Sequence, residues 1–289
     1  MEQILVNGLY LGAQYALIAL GLTLIFSLMN VLNFAHGQMY VFGGFVTYTV
    51  VAQWGLPFVV GLIASALILA VMGALIEVFL FRPVIRKSKR DESTMLLAAG
   101  IAFFLDAVIL LLFGEKQRGV PKIVNGVFNW DMRVIMPYDR ILIFVLAIGL
   151  IAGFIALMQY TKAGRAMRAL AQDRMAAQLM GVDVDRYSMI GFALGAMLAG
   201  LVGGLLVTIT GINLGMGGPT SVKAFMMIMI GGAGVISGAI AGGFILGMME
   251  SIGLTLLAAY GDITYLAIFA SLMVFLAFRP QGLMGKPWG

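Results

Sequence analysis

The chain has 289 residues, of which 62% are hydrophobic and only 11% are charged. Soluble domains carry about 25% charged residues, so this composition excludes a water-soluble globule and a disordered chain. One membrane crossing takes about 20 apolar residues, and the connections left over are short. The sequence therefore predicts a single transmembrane domain over residues 1–289, an all-α polytopic helix bundle of about eight membrane segments with broken or re-entrant pieces.

The composition also bears on the kinds of site that the chain could hold. There is no cysteine, and His36 is the single histidine, so a thiolate metal site is excluded and a histidine cluster is not expected. The formal net charge of +5 is interpreted as basic loops near anionic lipid headgroups rather than as a nucleic-acid surface. No catalytic dyad or nucleophile elbow is visible, so we expect neither an enzyme nor a metal or cofactor site.

The first apolar block runs from Ile4 to about Phe81 and predicts three crossings. Polar breaks near Asn30–Gln38 and Gln53–Pro57 divide it. Its first part, Ile4–Phe26, follows no basic region and is longer than a signal-peptide core, so it is predicted to be a membrane helix. The segment Arg82–Arg90 then carries five basic residues, and the positive-inside rule places it in the cytoplasm.

The rest of the chain alternates apolar segments with polar loops. The loop Gly114–Arg140 is predicted to lie outside, and the segment 161–187 returns to the cytoplasm. Val222–Ile230 is short for a full span and is either a re-entrant half-helix or a short crossing. The remaining predicted crossings are Thr94–Phe113, Ile141–Tyr160, Ser188–Thr210, Ala239–Ala258 and Ile263–Phe278.

The cytoplasmic segment 161–187 contains good helix formers from Ala166 to Met180. Gly181 fits the position that ends a helix. The sequence predicts one amphipathic helix here, because five apolar residues recur at nearly helical spacing: Met167, Leu170, Ala171, Ala177 and Met180. Two interpretations remain open. The helix either lies on the bilayer surface or docks a cytoplasmic partner, with its arginines pairing with acids at the rim of a groove.

The string Gly164-Arg-Ala-Met-Arg-Ala-Leu-Ala-Gln-Asp, with Ala177 and Gly181 following it, resembles the coupling-loop signature of permeases in binding-protein-dependent ABC importers. Asn33-Phe-Ala-His-Gly is similar to LivH-type permeases of the branched-chain amino acid branch. Weaker matches at Arg82-Pro-Val, Gly231–Gly234, Gly238–Gly243 and Arg279-Pro extend the resemblance almost end to end. It implies a set of ATPase-coupling residues, namely Gly164, Arg165, Arg168, Ala169, Asp173, Ala177 and Gly181.

This resemblance implies the membrane subunit of an importer for branched-chain or related amino acids in the bacterial cytoplasmic (inner) membrane. It would pair with a second homologous permease, two cytoplasmic ABC ATPase subunits and a periplasmic substrate-binding protein. The sequence itself contains no G-x-x-x-x-G-K-[ST] string, so ATP would be used by the partner subunits. Glycine-rich stretches in both halves fit either an internal repeat or closely packed helices.

Candidate pathway residues come from polar groups inside apolar segments. An unwound stretch at Asn33–Gln38 is tolerated at membrane depth only where it faces protein or a water-filled cavity. The alternative is a surface loop in which Asn33 and His36 cap helices. Among ionisable groups, Glu77 is expected to pair with Arg82, and Lys223 to pair with Glu250 or to face a vestibule. The candidate pathway residues are Asn33, His36, Gly37, Gln38, Asp106 and Lys223.

Other functions remain compatible with the sequence. A secondary transporter or channel driven by an ion gradient could use Asp106, Glu77 or His36 as its coupling site. The same ABC architecture could also carry urea, amides or aromatic acids.

Overall fold

The computed structural model describes residues 2–88, 92–130, 134–256 and 261–285, and most of these residues are helical. The helices are α1 (Glu2–Met29), α2 (His36–Tyr48), α3 (Phe58–Ile76), α4 (Arg82–Lys87), α5 (Glu92–Phe113), α6 (Tyr138–Tyr160), α7 (Lys162–Gln172), α8 (Arg174–Leu179), α9 (Val184–Leu206), α10 (Gly217–Gly231), α11 (Ile236–Leu256) and α12 (Gly261–Phe278). Two short strands are present, β1 (Val127–Trp130) and β2 (Val134–Pro137). The predicted all-α polytopic bundle is confirmed.

Several helices continue through irregular turns. A π-helical turn, Thr49–Gln53, extends α2, and a second one, Glu77–Phe81, joins α3 to α4. Within the described ranges, six helices are long and apolar enough to cross a membrane: α1, α3 with its extension to Lys87, α5, α6, α9 and α11. The shorter helices α2, α10 and α12 add to these, so the predicted number of about eight segments is approximate.

Helix α1 forms the centre of the bundle, and its closest neighbour is α11. A Cβ atom on Gly247 would lie 2.4 Å from the main-chain nitrogen of Gly12, and one on Gly243 would lie 2.4 Å from that of Ala16. Small residues at such crossings let two membrane helices approach at backbone distance. The glycine-rich second half is therefore explained by close packing.

One end of the bundle gathers the basic segment after α3. Arg82 forms the predicted ion pair with Glu77, with Nη2 lying 2.6 Å from Oε2, and the same nitrogen donates to the carbonyl of Asp185 at 3.0 Å. Arg86 also pairs with Asp185. The described part of the basic cluster and the start of α9 thus share one end, as the predicted topology requires. Lys89 and Arg90, and the last two residues of the predicted crossing Ala239–Ala258, lie outside the described residues.

The opposite end carries the loop that follows α5. The sequence predicts only a polar loop here, whereas β1 and β2 form an antiparallel hairpin. The main-chain N–H of Ile135 donates to Oε1 of Gln3 at 2.8 Å, which ties the hairpin to the start of α1. Arg118 forms a bridge with Ile212 after α9. Strands of four residues show too little alternation to be recognised from the sequence.

Candidate functional site

The chain unwinds between α1 and α2, and α2 begins deep inside the protein. Asn30 has a φ of 54° at the end of α1, and Asn33 Oδ1 accepts a hydrogen bond from the N–H of Ala35 at 3.1 Å. His36 Nε2 lies 3.2 Å from the carbonyl of Ile18, about three helical turns before the end of α1. Ile18 therefore lies about 16 Å from the end of α1 along the helix axis, which is half of a hydrocarbon core of about 30 Å. The geometry favours the unwound segment over the surface loop.

Helix α10 begins at the same depth, against the first turn of α2. The N–H of Gly37 donates to Oγ of Ser221 at 2.9 Å, and that hydroxyl donates to the carbonyl of Phe34 at 2.9 Å. A Cβ on Gly37 would lie 2.0 Å from the carbonyl oxygen of Gly217. The turn that follows α10 lies beside the end of α1, where a Cβ on Gly234 would lie 3.8 Å from Cα of Ser27. Helix α10 has 15 residues and is about 22 Å long, shorter than a hydrocarbon core of about 30 Å, which fits either predicted alternative, a re-entrant half-helix or a short crossing.

A cavity of about 560 Å³ lies between α1, α9 and α10. A second cavity of about 240 Å³ adjoins it and extends to Arg140 at the start of α6. We call the two together the outer cavity, because the main-chain carbonyl of Thr210 on their shared wall accepts a hydrogen bond from Gln117 of the loop that is predicted to lie outside. Residues that line both parts are Leu11, Gln14, Leu206 and Thr210.

An ion pair lies on the wall of the larger part. Lys223 Nζ lies 2.8 and 2.9 Å from the two carboxylate oxygens of Glu250 and donates to the hydroxyl of Tyr15 at 2.7 Å. Tyr15 in turn donates to Glu250 Oε2 at 2.5 Å. All three line the cavity, so both interpretations of Lys223 hold at once: it pairs with Glu250 and it faces a vestibule. Tyr15 gave no signal in the sequence, because an aromatic residue in an apolar helix is usually packing.

The other five candidate pathway residues do not line the outer cavity; they surround the start of α2. Gln38 Nε2 donates to Asp106 Oδ2 at 3.0 Å, which joins α2 to α5. Asn33 and His36 are buried, as described above, and Gly37 contacts α10. Three buried atoms of this group lack a hydrogen-bond partner among the described residues, namely His36 Nδ1, Gln38 Oε1 and Asp106 Oδ1. Contact of these five residues with a transported molecule stays a prediction.

The predicted single helix from Ala166 to Met180 is wrong, because it is broken at Asp173. This residue has an extended backbone, with φ −154° and ψ 111°, and its carboxylate caps α8 by accepting from the N–H groups of Met175 and Ala176 at 2.8 and 2.9 Å. An aspartate favours such a cap over a helix interior. Gly181 ends the segment with a φ of 85°, as predicted.

The two short helices bury three of the five residues of the predicted apolar face. Met167, Leu170 and Ala177 are buried, whereas Ala171 is exposed. Three large apolar side chains of the α8 region are exposed instead, and we call them the α8 patch: Met175 (75%), Leu179 (83%) and Met180 (85%). Contiguous exposed apolar side chains on a protein surface mark an interaction site.

The remaining predicted coupling residues divide into packed and exposed positions. Gly164 touches the end of α6, where a Cβ would lie 2.3 Å from the carbonyl oxygen of Met158. Arg168 donates to that same carbonyl and is half-buried, as is Ala169. Arg165 is exposed. Gly164 therefore positions α7, whereas the exposed Arg165 makes only a long hydrogen bond, 3.4 Å, to the carbonyl of Tyr160 and can reach another surface.

Known proteins are similar in sequence to this chain over most of its length. A family model described as the permease component of branched-chain amino acid transport systems matches residues 4–277. The high-affinity branched-chain amino acid transport system permease protein BraD of Pseudomonas aeruginosa is 33% identical over 299 residues, covering 99% of this chain and 96% of BraD. The corresponding permease protein LivH of Escherichia coli K12 is 33% identical, covering 97% and 94% of the two chains.

One archaeal relative and one solved structure extend the comparison. The probable permease protein LivH of Methanocaldococcus jannaschii is 30% identical over 99% of this chain and 93% of its own. The structure of PsaBC from Streptococcus pneumoniae in complex with Fab aligns with 94% of this chain and 91% of its own at a TM-score of 0.49 and 14% identity. Within the described ranges, no group of three His, Asp or Glu side chains could hold a metal ion.

Proposed function

The chain belongs to the family of branched-chain amino acid transport permeases, and we propose that it is the membrane-spanning permease subunit of a binding-protein-dependent ABC importer. Its cargo would be branched-chain or related amino acids. The observation that carries this proposal is the 33% identity to BraD and LivH across at least 97% of this chain and 94% of each relative. A shared length of this kind favours a shared role for the whole chain.

ATP would be hydrolysed by two separate cytoplasmic subunits that dock on the segment 161–187. The α8 patch supports this docking, because its side chains are exposed at the end of the bundle that carries the basic residues. The apolar side chains of α7, Met167 and Leu170, are already covered by the protein, so they are not available to lie on a bilayer. The exposed apolar surface proposed for docking is therefore that of α8 and not that of α7.

The outer cavity supports delivery of the cargo from the other side. It reaches Arg140 and Thr210 at the end of the bundle opposite the basic cluster, where a periplasmic substrate-binding protein would dock. The multi-pass bundle would lie in the bacterial cytoplasmic membrane beside a second homologous permease. Exposed apolar side chains on α5, among them Leu96, Phe103 and Leu111, suit lipid or that second subunit.

The test is uptake of radiolabelled leucine into proteoliposomes that contain the chain, its second permease and the ATPase subunits. We expect uptake only with ATP and the substrate-binding protein, and none with an ATPase variant that cannot hydrolyse ATP. A protonophore should leave the uptake unchanged. Uptake that follows an imposed proton or sodium gradient without the ATPase would overturn the proposal in favour of a secondary transporter.

A further inference from the structure

We propose that Lys223, Glu250, Tyr15 and Gln14 form a binding station for the two charged groups of a zwitterionic α-amino acid crossing the outer cavity. This inference rests on the proposed function and narrows it, because urea, neutral amides and simple carboxylic acids lack that pair of charges. Lys223 and Tyr15 would take the carboxylate of the amino acid, and Glu250 would take its ammonium group.

The position of the ion pair is the first support. Glu250 is buried, with 6% of its side chain exposed, while 22% of the Lys223 side chain is exposed. Burying two opposite charges carries a desolvation cost that their attraction often fails to exceed, and apolar residues can join helices equally well. This pair joins three helices and also lines the cavity, so its charged groups can contact a polar solute there.

Charge balance is the second support. The pair is neutral as a whole, and a zwitterion is also neutral, so their combination leaves no uncompensated charge beside the buried Glu250 carboxylate. The carboxylate can bond to the Lys223 ammonium and the Tyr15 hydroxyl, which already lie 2.7 Å apart. A ligand that carries only one charge would leave Lys223 or Glu250 without a counter-charge.

Gln14 gives an independent indication of a ligand. Gln14 is 1% exposed and lies beside the Tyr10 hydroxyl, but neither its amide nitrogen nor its amide oxygen makes a hydrogen bond of good geometry in the part of the chain that the structure describes. Buried carboxamides are nearly always paired, because an unsatisfied donor or acceptor carries the full cost of desolvation. Gln14 lines both parts of the outer cavity, so a polar solute there can satisfy it.

The cavity walls suit an apolar side chain on the same ligand. Leu11, Ile18 and Leu206 line the larger part together with the polar cluster. Ligand pockets typically combine apolar walls with a few placed polar groups that fix orientation. The side chain of a branched-chain amino acid would contact these walls while its charged groups lie at the ion pair.

The first experiment is the double variant K223Q/E250Q in the complete transporter complex. Removing both charges together leaves no unpaired buried charge, and the amides preserve hydrogen bonding with Tyr15. We expect normal assembly and basal ATP hydrolysis, with leucine uptake reduced at least tenfold. The matched control is E77Q/R82Q, which neutralises the ion pair at the basic end of the bundle and should retain uptake within about twofold.

The second experiment measures weak binding to the wild-type complex in nanodiscs, without the substrate-binding protein, by saturation-transfer NMR. The probes are leucine, leucinamide as a cation and 4-methylpentanoate as an anion. We expect saturation transfer to leucine at least five times that to either singly charged probe, and its loss in K223Q/E250Q and Gln14→Leu.

These outcomes separate the inference from the proposed function. If the wild-type complex shows no ATP-dependent uptake, the proposed function fails. If it transports leucine and K223Q/E250Q does so equally well, the pair is only structural and the inference is wrong. Should the double variant not assemble, equal saturation transfer to the three probes on the wild-type complex would overturn the inference, and the expected preference for leucine would support it.

Discussion

The main-chain N–H of Gly37 donates a hydrogen bond to the hydroxyl oxygen of Ser221, 2.9 Å away, and this contact joins the first turns of α2 and α10. Both helices begin inside the bundle rather than at its surface. Their N-terminal ends carry unpaired N–H groups, and the Ser221 hydroxyl satisfies one of them. The contact therefore holds together two short helices that begin inside the bundle and come from distant parts of the chain.

Substituting Gly37 by Ala should separate these two helices. The added Cβ would lie 2.0 Å from the carbonyl oxygen of Gly217 and 2.5 Å from the Ser221 hydroxyl, so the backbone must shift. Overpacking of this kind typically costs about 1–3 kcal/mol. We expect a lower melting temperature of the purified protein and at least tenfold slower uptake. The control is Gly153→Ala in α6, where nothing lies within 4 Å of the added Cβ; a loss there of the same size would contradict the packing argument.

A charge in the α8 patch should detach the ATPase. Leu179→Glu changes a side chain that is 83% exposed, so the stability of the chain itself should not change. We expect at least tenfold less ATPase to co-purify with the permease. Ile135→Glu introduces the same charge at a 52% exposed position in the hairpin at the other end and should have no such effect. Equal recovery of ATPase with both variants would show that the α8 patch is not its docking surface.

Removing the cap at Asp173 should loosen α8 without unfolding the bundle. Asp173→Ala deletes the acceptor of two main-chain N–H bonds, and losing such a cap costs about 1 kcal/mol. We expect faster hydrogen exchange at 174–179 and weaker stimulation of ATP hydrolysis by substrate. Asp173→Ser restores a capping oxygen and should recover both properties. If Asp173→Ser does not recover them, the negative charge of Asp173 is needed and not its capping oxygen.

Gly164 and Arg165 are neighbours with different expected roles. A Cβ on Gly164 would lie 2.3 and 2.4 Å from two carbonyl oxygens of α6, so Gly164→Ala should lower the melting temperature. Arg165→Ala removes an exposed side chain and should leave the melting temperature unchanged while reducing ATPase binding. Two measurements distinguish these roles: the melting temperature of each variant in detergent, and the amount of ATPase that co-purifies with it. A stable Gly164→Ala protein would show that α7 can move away from α6.

Substituting Asp106 distinguishes ATP-driven import from transport that is coupled to an ion gradient. It accepts a hydrogen bond from Gln38, and an asparagine at the same place keeps an acceptor for it. We expect Asp106→Asn to retain leucine uptake within about threefold, because ATP supplies the energy. Abolished uptake in a stable, assembled Asp106→Asn complex would support a proton- or cation-coupling carboxylate instead. The measurement is the initial uptake rate with and without a protonophore.

Local sequence predicted the parts of this protein that depend on local composition. The apolar stretches that became α3, α5, α6 and α9 were found within a few residues, because the cost of placing polar groups in lipid is set by each stretch of about 20 residues. The ion pair of Glu77 and Arg82 was predicted for the same reason, since its members lie about one turn apart. The break at Asp173 was missed because its neighbours are strong helix formers.

Composition and hydropathy by themselves determined that the chain is a multi-pass helical membrane protein with a basic end. Only the tertiary structure decided which residues meet. Tyr15 and Glu250 are 235 positions apart, and Gly37 and Ser221 are 184 positions apart, yet each pair is in hydrogen-bond contact. Such contacts depend on how glycine-lined helices cross and on where α2 and α10 begin inside the bundle. No local pattern of residues encodes either property.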